Sequence, residues 1–122
     1  MIDNRRDGCA IVNLSSMVSH VATPAISVYG ASKAAIDQIT QTAALELGKY
    51  QIRVNAVNPG PVMTQILKEA PKGVINEIIG RMPLQRIARV NDLANFTAYL
   101  LSDKADMITG ACIPIDGGYT AC

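Results

Sequence analysis

Three short apolar runs constrain the fold of this chain more strongly than any other feature of its sequence. They cover residues 9–14, 52–57 and 111–115, and segments with helical spacing separate them. Strands joined by helical crossovers pair in parallel, with right-handed connections. We therefore predict an α/β chain ordered strand, helix, strand, helices, strand, with the strand at 9–14 buried on both faces.

One long helix is predicted for residues 28–47, between the first two strands. Its apolar residues recur at spacings of three and four, Ser27 is a candidate cap, and Gly48 is expected to end it. The main apolar stripe consists of Ala31, Ala34, Ala35, Ile39, Ala43 and Leu47. Its breadth predicts two buried sides, one against the sheet and one against a partner subunit, although an alanine-rich core helix is the simpler alternative.

The second half of the chain predicts shorter elements. Residues 62–79 are expected to form short helices around Pro71 and Gly73, and their composition fits either a mobile lid or plain surface packing. Asn91 is the predicted cap of a further helix at residues 92–102. The apolar set of that helix is Leu93, Phe96, Leu100 and Leu101.

Composition and charge argue against several classes of protein. Hydrophobic residues make up 49% of the chain and charged residues 17%, which indicates a globular domain. A net charge of +1 without a basic run gives no reason to expect a nucleic-acid partner. The three cysteines form neither a C-x-x-C motif nor a Cys/His cluster, so no metal site is predicted, and unpatterned thiols suit a reducing cytoplasm.

Targeting signals are also missing from the pattern. Residues 1–8 are polar and fit a lead-in or the end of a preceding helix, not a signal peptide. No apolar run approaches the roughly 18 residues that a membrane span needs. The expectation is a cytoplasmic protein without a membrane span.

Ser16, Tyr29 and Lys33 carry the strongest chemical signal. Tyr29 and Lys33 are four positions apart, so a helix places them one turn apart on the same face. A neighbouring ammonium lowers the pKa of a phenol, which suits a tyrosine to proton transfer at neutral pH. Ser16 follows the first strand, and the intervening loop can bring its hydroxyl back to the tyrosine. A Tyr-x-x-x-Lys pair alone more often marks an exposed helical pair without chemistry, so the surrounding residues decide.

The surrounding motifs, in their order, resemble the C-terminal half of a short-chain dehydrogenase/reductase. They are Asn13-Leu14-Ser15-Ser16, Tyr29-Gly30-Ala31-Ser32-Lys33, Val54-Asn55-Ala56-Val57-Asn58-Pro59-Gly60 and Asp116-Gly117-Gly118. Further residues are similar to the branch containing L-xylulose reductase and tetrameric carbonyl reductase, namely Ser27-Val28-Tyr29, Ala44-Leu45-Glu46-Leu47-Gly48, Val62-Met63-Thr64 and Ala121-Cys122. The resemblance implies a Rossmann-like doubly wound parallel sheet, of which residues 1–122 are the C-terminal half.

That resemblance implies an NAD(P)(H)-dependent oxidoreductase that interconverts a carbonyl and an alcohol. Tyr29 would give or take the proton, and Ser16 would donate a hydrogen bond to the substrate oxygen. Lys33 would lower the pKa of the tyrosine and bind the nicotinamide ribose. NADPH is the implied cofactor, with NADH left open. L-xylulose and small dicarbonyls are the implied substrates, and a homotetramer is the implied assembly.

The loop after the second strand is the implied cofactor loop. The residues assigned to the cofactor there are Pro59, Gly60, Val62 and Thr64. By resemblance, the backbone of Val62 would meet the nicotinamide carboxamide, and Thr64 would reach the carboxamide or the pyrophosphate. An ordinary turn at the end of a strand is the alternative that the motif order argues against.

Four other residues invite a chemical role and are assigned blander ones. Ser15 would point away from the site by alternation along the strand. His20 fits a surface or pocket-lining loop residue better than an acid or base. Asp116, beside two glycines, is expected to fix a turn. No pattern around Cys122 supports a reactive thiol.

The glycine-rich phosphate loop of dinucleotide-binding halves is not found in this sequence. We therefore expect a partial domain over residues 1–122, belonging to a chain about twice as long. By itself it is expected to show little or no turnover, and one edge of the strand at 9–14 is expected to lack a partner. The alternative is a non-catalytic chain that serves as an oligomerisation partner of full-length subunits.

Overall fold

The computed structural model describes residues 8–69 and 71–121, and its elements alternate in the predicted order. They are β1 (Ala10–Leu14), α1 (Ser27–Leu47), β2 (Arg53–Pro59), α2 (Gln65–Lys68), α3 (Lys72–Gly80), α4 (Val90–Leu101) and β3 (Cys112–Ile115). The three strands form one parallel sheet in the order β1-β2-β3. The predicted α/β class is therefore confirmed, while the predictions for residues 1–7 and for Cys122 lie outside the described residues.

The central strand β2 is the most deeply buried element. Every residue from position 52 to position 58 is buried, and the strand pairs with β1 on one side and β3 on the other. The prediction that the first strand is buried on both faces was wrong. β1 is only partly buried, and Leu14 at its end is 61% exposed. Among the described residues β1 pairs with β2 alone, so it forms an edge of the sheet.

Helix α1 starts one residue earlier than predicted and without the predicted cap. Ile26 holds the capping position, where no side-chain hydrogen bond is made, and Ser27 is the first helical residue. Gly48 ends the helix as predicted. The residues of α1 that are buried are Asp37, Thr40 and Ala44.

The predicted apolar stripe of α1 lies largely away from the core. Ile39 is 62% exposed, and Leu45, off that stripe, is 86% exposed. Instead, two polar side chains of the helix are buried, and the sheet donates a hydrogen bond to each of them. In one of these bonds, Asn13 Nδ2 donates to Thr40 Oγ1 over 2.9 Å. The inward face of this helix is therefore partly polar.

Charged side chains fix both ends of helix α4. The prediction that Asn91 caps this helix was wrong. Arg89 holds the capping position, and its backbone N–H donates to Asp92 Oδ2 over 2.8 Å. At the other end, the buried guanidinium of Arg53 donates to the carbonyl oxygens of Leu100 (2.7 Å) and Ser102 (3.0 Å). These bonds satisfy carbonyl groups that a helix end leaves unpaired.

Apolar clusters cover both faces of the sheet. On the side of α1, Ala44, Ile52 and Val54 form one buried cluster. On the side of α4, Val57 and Leu100 belong to another. The sheet therefore lies between helices on either face, which is the layering of a doubly wound fold. None of the described helices is long and apolar enough to cross a membrane.

Gly60, which follows β2, packs against the residue after β3. A Cβ at Gly60 would lie 2.8 Å from both Cα and Cβ of Asp116. We predict that Gly60→Ala lowers the free energy of unfolding by about 1–3 kcal/mol, because overpacking forces the backbone apart. Gly48→Ala is the matched control, since nothing lies within 4 Å of its Cβ position. Denaturant unfolding measures both, and equal midpoints for the two variants would contradict the prediction.

Candidate active site

A cavity of about 380 Å³ lies at the carboxyl ends of β1 and β2. The residues that the sequence assigned to catalysis and cofactor binding all line it: Ser16, Tyr29, Lys33, Pro59, Gly60, Val62 and Thr64. They come from the loop after β1, the first turns of α1 and the segment after β2. Parallel α/β sheets place their ligand sites at this end of the strands.

Tyr29 and Lys33 lie on one face of α1, one turn apart. Lys33 Nζ is 5.7 Å from the centroid of the Tyr29 ring and donates a hydrogen bond to the carbonyl oxygen of Leu14 over 3.0 Å. Tyr29 is 47% exposed. The ammonium is therefore held between the end of β1 and the phenol, and the phenol is open to a ligand.

Ser16 and Ser15 are both buried but engage different groups. Ser16 Oγ accepts a hydrogen bond from the backbone N–H of Val18 over 3.4 Å, which uses a lone pair and leaves the hydroxyl proton for donation. Ser15 does not point away from the site as predicted. It lines the same cavity, and its hydroxyl donates to the carbonyl oxygen of Lys33 over 3.0 Å. Ser15 thus ties the end of β1 to α1, and Ser16 is the serine with a proton to offer a ligand.

Backbone hydrogen bonds hold the loop after β2. The N–H of Gly60 donates to the carbonyl oxygen of Ile115 over 3.1 Å, and that of Met63 donates to the carbonyl oxygen of Ala88 over 2.9 Å. Thr64 precedes α2 without making a side-chain cap bond. Thr64 lines the cavity, so its hydroxyl is a candidate group for binding a ligand.

Sequence reasoning missed two buried polar residues beside this cavity, Asn58 and Asp37. Asn58 Nδ2 donates to Asp37 Oδ1 over 3.0 Å and to Oδ2 over 2.8 Å. His20, interpreted from sequence as a loop or pocket-lining residue, lies with Nε2 3.1 Å from Asn58 Nδ2 and 3.6 Å from Asp37 Oδ2. The available signal was the eight-residue spacing from Tyr29 to Asp37, which places both on one helical face.

Cys112, on the neighbouring strand, is not a candidate nucleophile. Burial, followed by the charge of Asp37, raises the pKa of its thiol to about 11. The thiol therefore stays protonated near neutral pH, and the thiolate is the nucleophilic form. Among residues 8–69 and 71–121, no group of three His, Cys, Asp or Glu residues is placed to hold a metal ion.

Asp116 fixes the turn after β3, as predicted. Its carboxylate accepts hydrogen bonds from the N–H of Gly118 (2.9 Å) and from the N–H (2.9 Å) and hydroxyl (2.6 Å) of Thr120. Burial acts to raise the pKa of Asp116, but these hydrogen bonds outweigh it, so the pKa is lowered from the ordinary value of 3.8. The turn, which packs against Gly60, is therefore held by an ionised carboxylate.

The lowered pKa of Asp116 gives a pH-dependent prediction for stability. A carboxylate whose pKa is lower in the folded state stabilises the fold above its unfolded pKa, and this contribution is lost as the pH falls through the folded value. Asp116→Asn should therefore lower the unfolding midpoint at about pH 7. The gap to the parent protein should narrow below the ordinary value of 3.8. Thermal unfolding at several pH values measures it, with the exposed Asp106→Asn as control; a gap that is constant with pH would contradict the prediction.

The residues around the cavity fit a nicotinamide nucleotide chemically. Lys33, which carries an ammonium, and three residues that carry hydroxyl groups line this one cavity. The three are Ser16, Tyr29 and Thr64. Ribose hydroxyls and a carboxamide are polar groups that such donors bind, and the volume falls within the range of small-molecule sites.

Comparison with known proteins identifies the class to which this chain belongs. A family profile described as enoyl-(acyl carrier protein) reductase, a short-chain dehydrogenase/reductase profile, matches residues 2–120. The chain belongs to the short-chain dehydrogenase/reductase family. Within it, human L-xylulose reductase is 43% identical over 115 residues, which are 93% of this chain and 47% of the relative. Carbonyl reductase [NADPH] 2 of Sus scrofa is 39% identical over 114 residues, 92% of this chain and 47% of the relative.

Solved structures agree with this assignment. A 4-hydroxyisoleucine dehydrogenase complexed with NADH superposes with a TM-score of 0.93 at 35% identity, covering 98% of this chain and 50% of that one. An NAD⁺-bound xylitol dehydrogenase gives a TM-score of 0.89 at 35% identity, covering 97% of this chain and 51% of that one. The chain spans about half the length of the relatives that it matches.

Proposed function

We propose that the protein carrying this chain is a nicotinamide-dependent oxidoreductase that interconverts a carbonyl and an alcohol. The observation that carries the proposal is the convergence of Ser16, Tyr29 and Lys33 on one cavity that the loop after β2 also borders. Membership of the short-chain dehydrogenase/reductase family supports the same reaction class. Two structural neighbours, one complexed with NADH and one bound to NAD⁺, support a nicotinamide nucleotide as cofactor.

Each catalytic side chain has a distinct task in this proposal. Tyr29 exchanges a proton with the substrate oxygen through its phenolic hydroxyl. Lys33 places a positive charge beside that phenol, where it stabilises negative charge that develops on the oxygen during transfer. Ser16 donates its hydroxyl proton in a hydrogen bond to the substrate oxygen. When bound, a nicotinamide nucleotide supplies or accepts the hydride.

The segment from Pro59 to Thr64 is the proposed wall of the cofactor site. Pro59 ends β2 and Gly60 follows it, and both line the cavity that Tyr29 lines, so their backbone would border a nicotinamide bound there. The backbone of Val62 and the hydroxyl of Thr64 offer polar groups to its carboxamide. Lys33 retains N–H donors beyond the one given to Leu14, and we assign them to the ribose hydroxyls.

Replacing Tyr29 by phenylalanine tests the proton-transfer role. In the protein at its full natural length, Tyr29→Phe should lower kcat for carbonyl reduction by about 10²–10⁴-fold, since the proton donor is lost. Tyr50→Phe is the matched control, because Tyr50 is 45% exposed, close to the 47% of Tyr29, and does not line the cavity. Initial rates of NADPH oxidation measure both. Equal rates for the two variants would exclude Tyr29 as the donor.

The two adjacent serines provide a second test. Ser16→Ala should lower kcat by on the order of 10²-fold, because an electrostatic stabiliser of the reacting oxygen is lost. Ser15→Ala removes the hydrogen bond to the carbonyl oxygen of Lys33 but no donor to substrate, so its loss of kcat should be several-fold at most. Steady-state kinetics distinguish them, and a larger loss in Ser15→Ala would reverse the assignment.

The substrate class that we propose is small dicarbonyls and ketoses such as L-xylulose, with NADPH as cofactor. Similarity to L-xylulose reductases of several animals and to a carbonyl reductase named for NADPH supports this choice. We expect faster turnover of L-xylulose and a small dicarbonyl with NADPH than with NADH. Rates measured with both nucleotides decide the preference, and faster turnover with NADH would overturn it.

A second candidate function is suggested by the exposed apolar residues of α1. Val28 is 84% exposed, Ile39 62% and Leu45 86%, an arrangement that favours contact with another subunit. They are consistent with a homotetramer, and equally with a non-catalytic chain that assembles with full-length subunits. In the second case, the chain would form complexes with a longer homologue and would not oxidise NADPH.

Light scattering on mixtures of the chain with a full-length homologue tests the assembly surface. Leu45→Glu should reduce complex formation by at least tenfold, because a charge would be placed in the proposed contact. Met107→Glu is the control, since Met107 is 96% exposed and lies outside α1. Equal complex formation by both variants would remove α1 as the contact surface.

A further inference from the structure

Asn58 lies at the junction of the segments that carry the proposed site. It is fully buried near the end of β2, immediately before Pro59 and Gly60 of the cofactor loop. Its amide nitrogen donates to both carboxylate oxygens of Asp37 on α1. Asp37 follows Lys33 by four residues, so it lies one turn further along the face that carries Tyr29 and Lys33.

The same amide also contacts the loop that carries Ser16. Asn58 Nδ2 lies 3.3 Å from the carbonyl oxygen of Ser16 and 2.9 Å from Ser19 Oγ. Ser19 Oγ in turn donates to the carbonyl oxygen of Ser16 over 2.7 Å. One side chain therefore connects the serine loop, the tyrosine–lysine helix and the strand end that leads into the cofactor loop.

The orientation of the Asn58 amide indicates what this contact demands. Its Oδ1 is buried and finds no hydrogen-bond partner within the described part of the chain. Turning the amide over would direct Oδ1 at the Asp37 carboxylate and place two acceptors against each other. Leaving one oxygen unpaired is therefore the cost of directing the N–H groups at Asp37 and the serine loop.

We propose that Asn58 and Asp37 are positioning residues, which set the placement of Ser16 relative to Tyr29 and Lys33. This inference rests on the proposed function. Neither residue lines the cavity, so both act through the groups that they hold. A shift of about 1 Å in such groups reduces turnover strongly while the ligands still bind, because reaction requires close alignment.

A reciprocal exchange of the two residues tests the proposal in the full-length protein. Asn58→Asp sets two carboxylates against each other and should lower kcat by about 10²-fold, with KM changed less than threefold. The double variant Asp37→Asn with Asn58→Asp restores a donor and an acceptor with their places exchanged. It should recover at least a tenth of the parent kcat.

Thr40→Val is the matched control. Thr40 is a fully buried polar residue of α1, bonded to Asn13 of β1, and it does not line the cavity. This variant should lower the unfolding midpoint while kcat stays within threefold of the parent. A loss of kcat in Thr40→Val as large as in Asn58→Asp would show that any buried polar loss disturbs turnover, and it would overturn the positioning role.

Hydrogen exchange supplies a readout that does not depend on activity. The backbone N–H groups of Ser19 and His20 donate to carbonyl oxygens in the serine loop, over 3.1 Å and 3.0 Å. Their exchange should accelerate at least tenfold in Asn58→Asp and stay unchanged in Thr40→Val. In the double variant it should return only in part, because a carboxylate at position 58 restores the contact with residue 37 but offers no N–H to the carbonyl oxygen of Ser16. If Asn58→Asp does not fold, Asp37→Asn alone should give a smaller change in the same direction.

The outcomes distinguish the contact between Asn58 and the loop that carries Ser16 from the effect of that contact on turnover. Faster exchange together with lower kcat supports the proposal. If the parent enzyme is active, faster exchange with unchanged kcat overturns the positioning role. Unchanged exchange in Asn58→Asp overturns the contact between Asn58 and the loop that carries Ser16. If the parent protein reduces no carbonyl with either nucleotide, the proposed function fails. The exchange rates then decide alone whether Asn58 holds the serine loop.

Discussion

The structure around the candidate site depends on satisfying one buried carboxylate. Asp37 lies on the inward face of α1 and is 8% exposed, and the amide of Asn58 donates hydrogen bonds to its carboxylate. A buried charge without donors would be strongly destabilising, so helix and strand must meet where those atoms meet. Because Asn58 directly precedes the loop that borders the cavity, an electrostatic requirement of the core also determines the geometry of the site.

Directional hydrogen bonds recur along the central strand. Asn55 Nδ2 donates to the carbonyl oxygen of Ile108 over 2.7 Å, and Asn55 Oδ1 accepts from the N–H of Ala111 over 3.1 Å. Arg53 reaches the last carbonyl groups of α4 from the same strand. Apolar contacts tolerate small displacements, whereas these bonds hold only in a narrow geometry. Side chains of β2 therefore fix the positions of two other parts of the fold, the segment that leads into β3 and the end of α4.

Local patterns in the sequence predicted the strands, their order and the shared helical face of Tyr29 and Lys33, because spacing within an element suffices for each. The polar inward face of α1 could not be predicted in this way. Asp37 and Thr40 are residue types that usually face solvent, and their burial depends on partners 21 and 27 positions away in the chain. Both predicted helix caps were wrong for a similar reason, since the path by which the chain enters a helix is a tertiary property.

The pairing of β2 has a consequence for the order of folding. Both neighbours of this central strand come from the described residues, so its ladders close without any other part of a longer protein. The central strand β2 and its two neighbours, with an apolar cluster on each face of the sheet, can therefore fold as one cooperative unit. Within residues 8–69 and 71–121, the outer edge of β1 pairs with no other strand, so it offers backbone groups to which a further strand of a longer protein can bind. In a longer protein, the three strands described here could therefore pair first, and further strands would add to the sheet that they form.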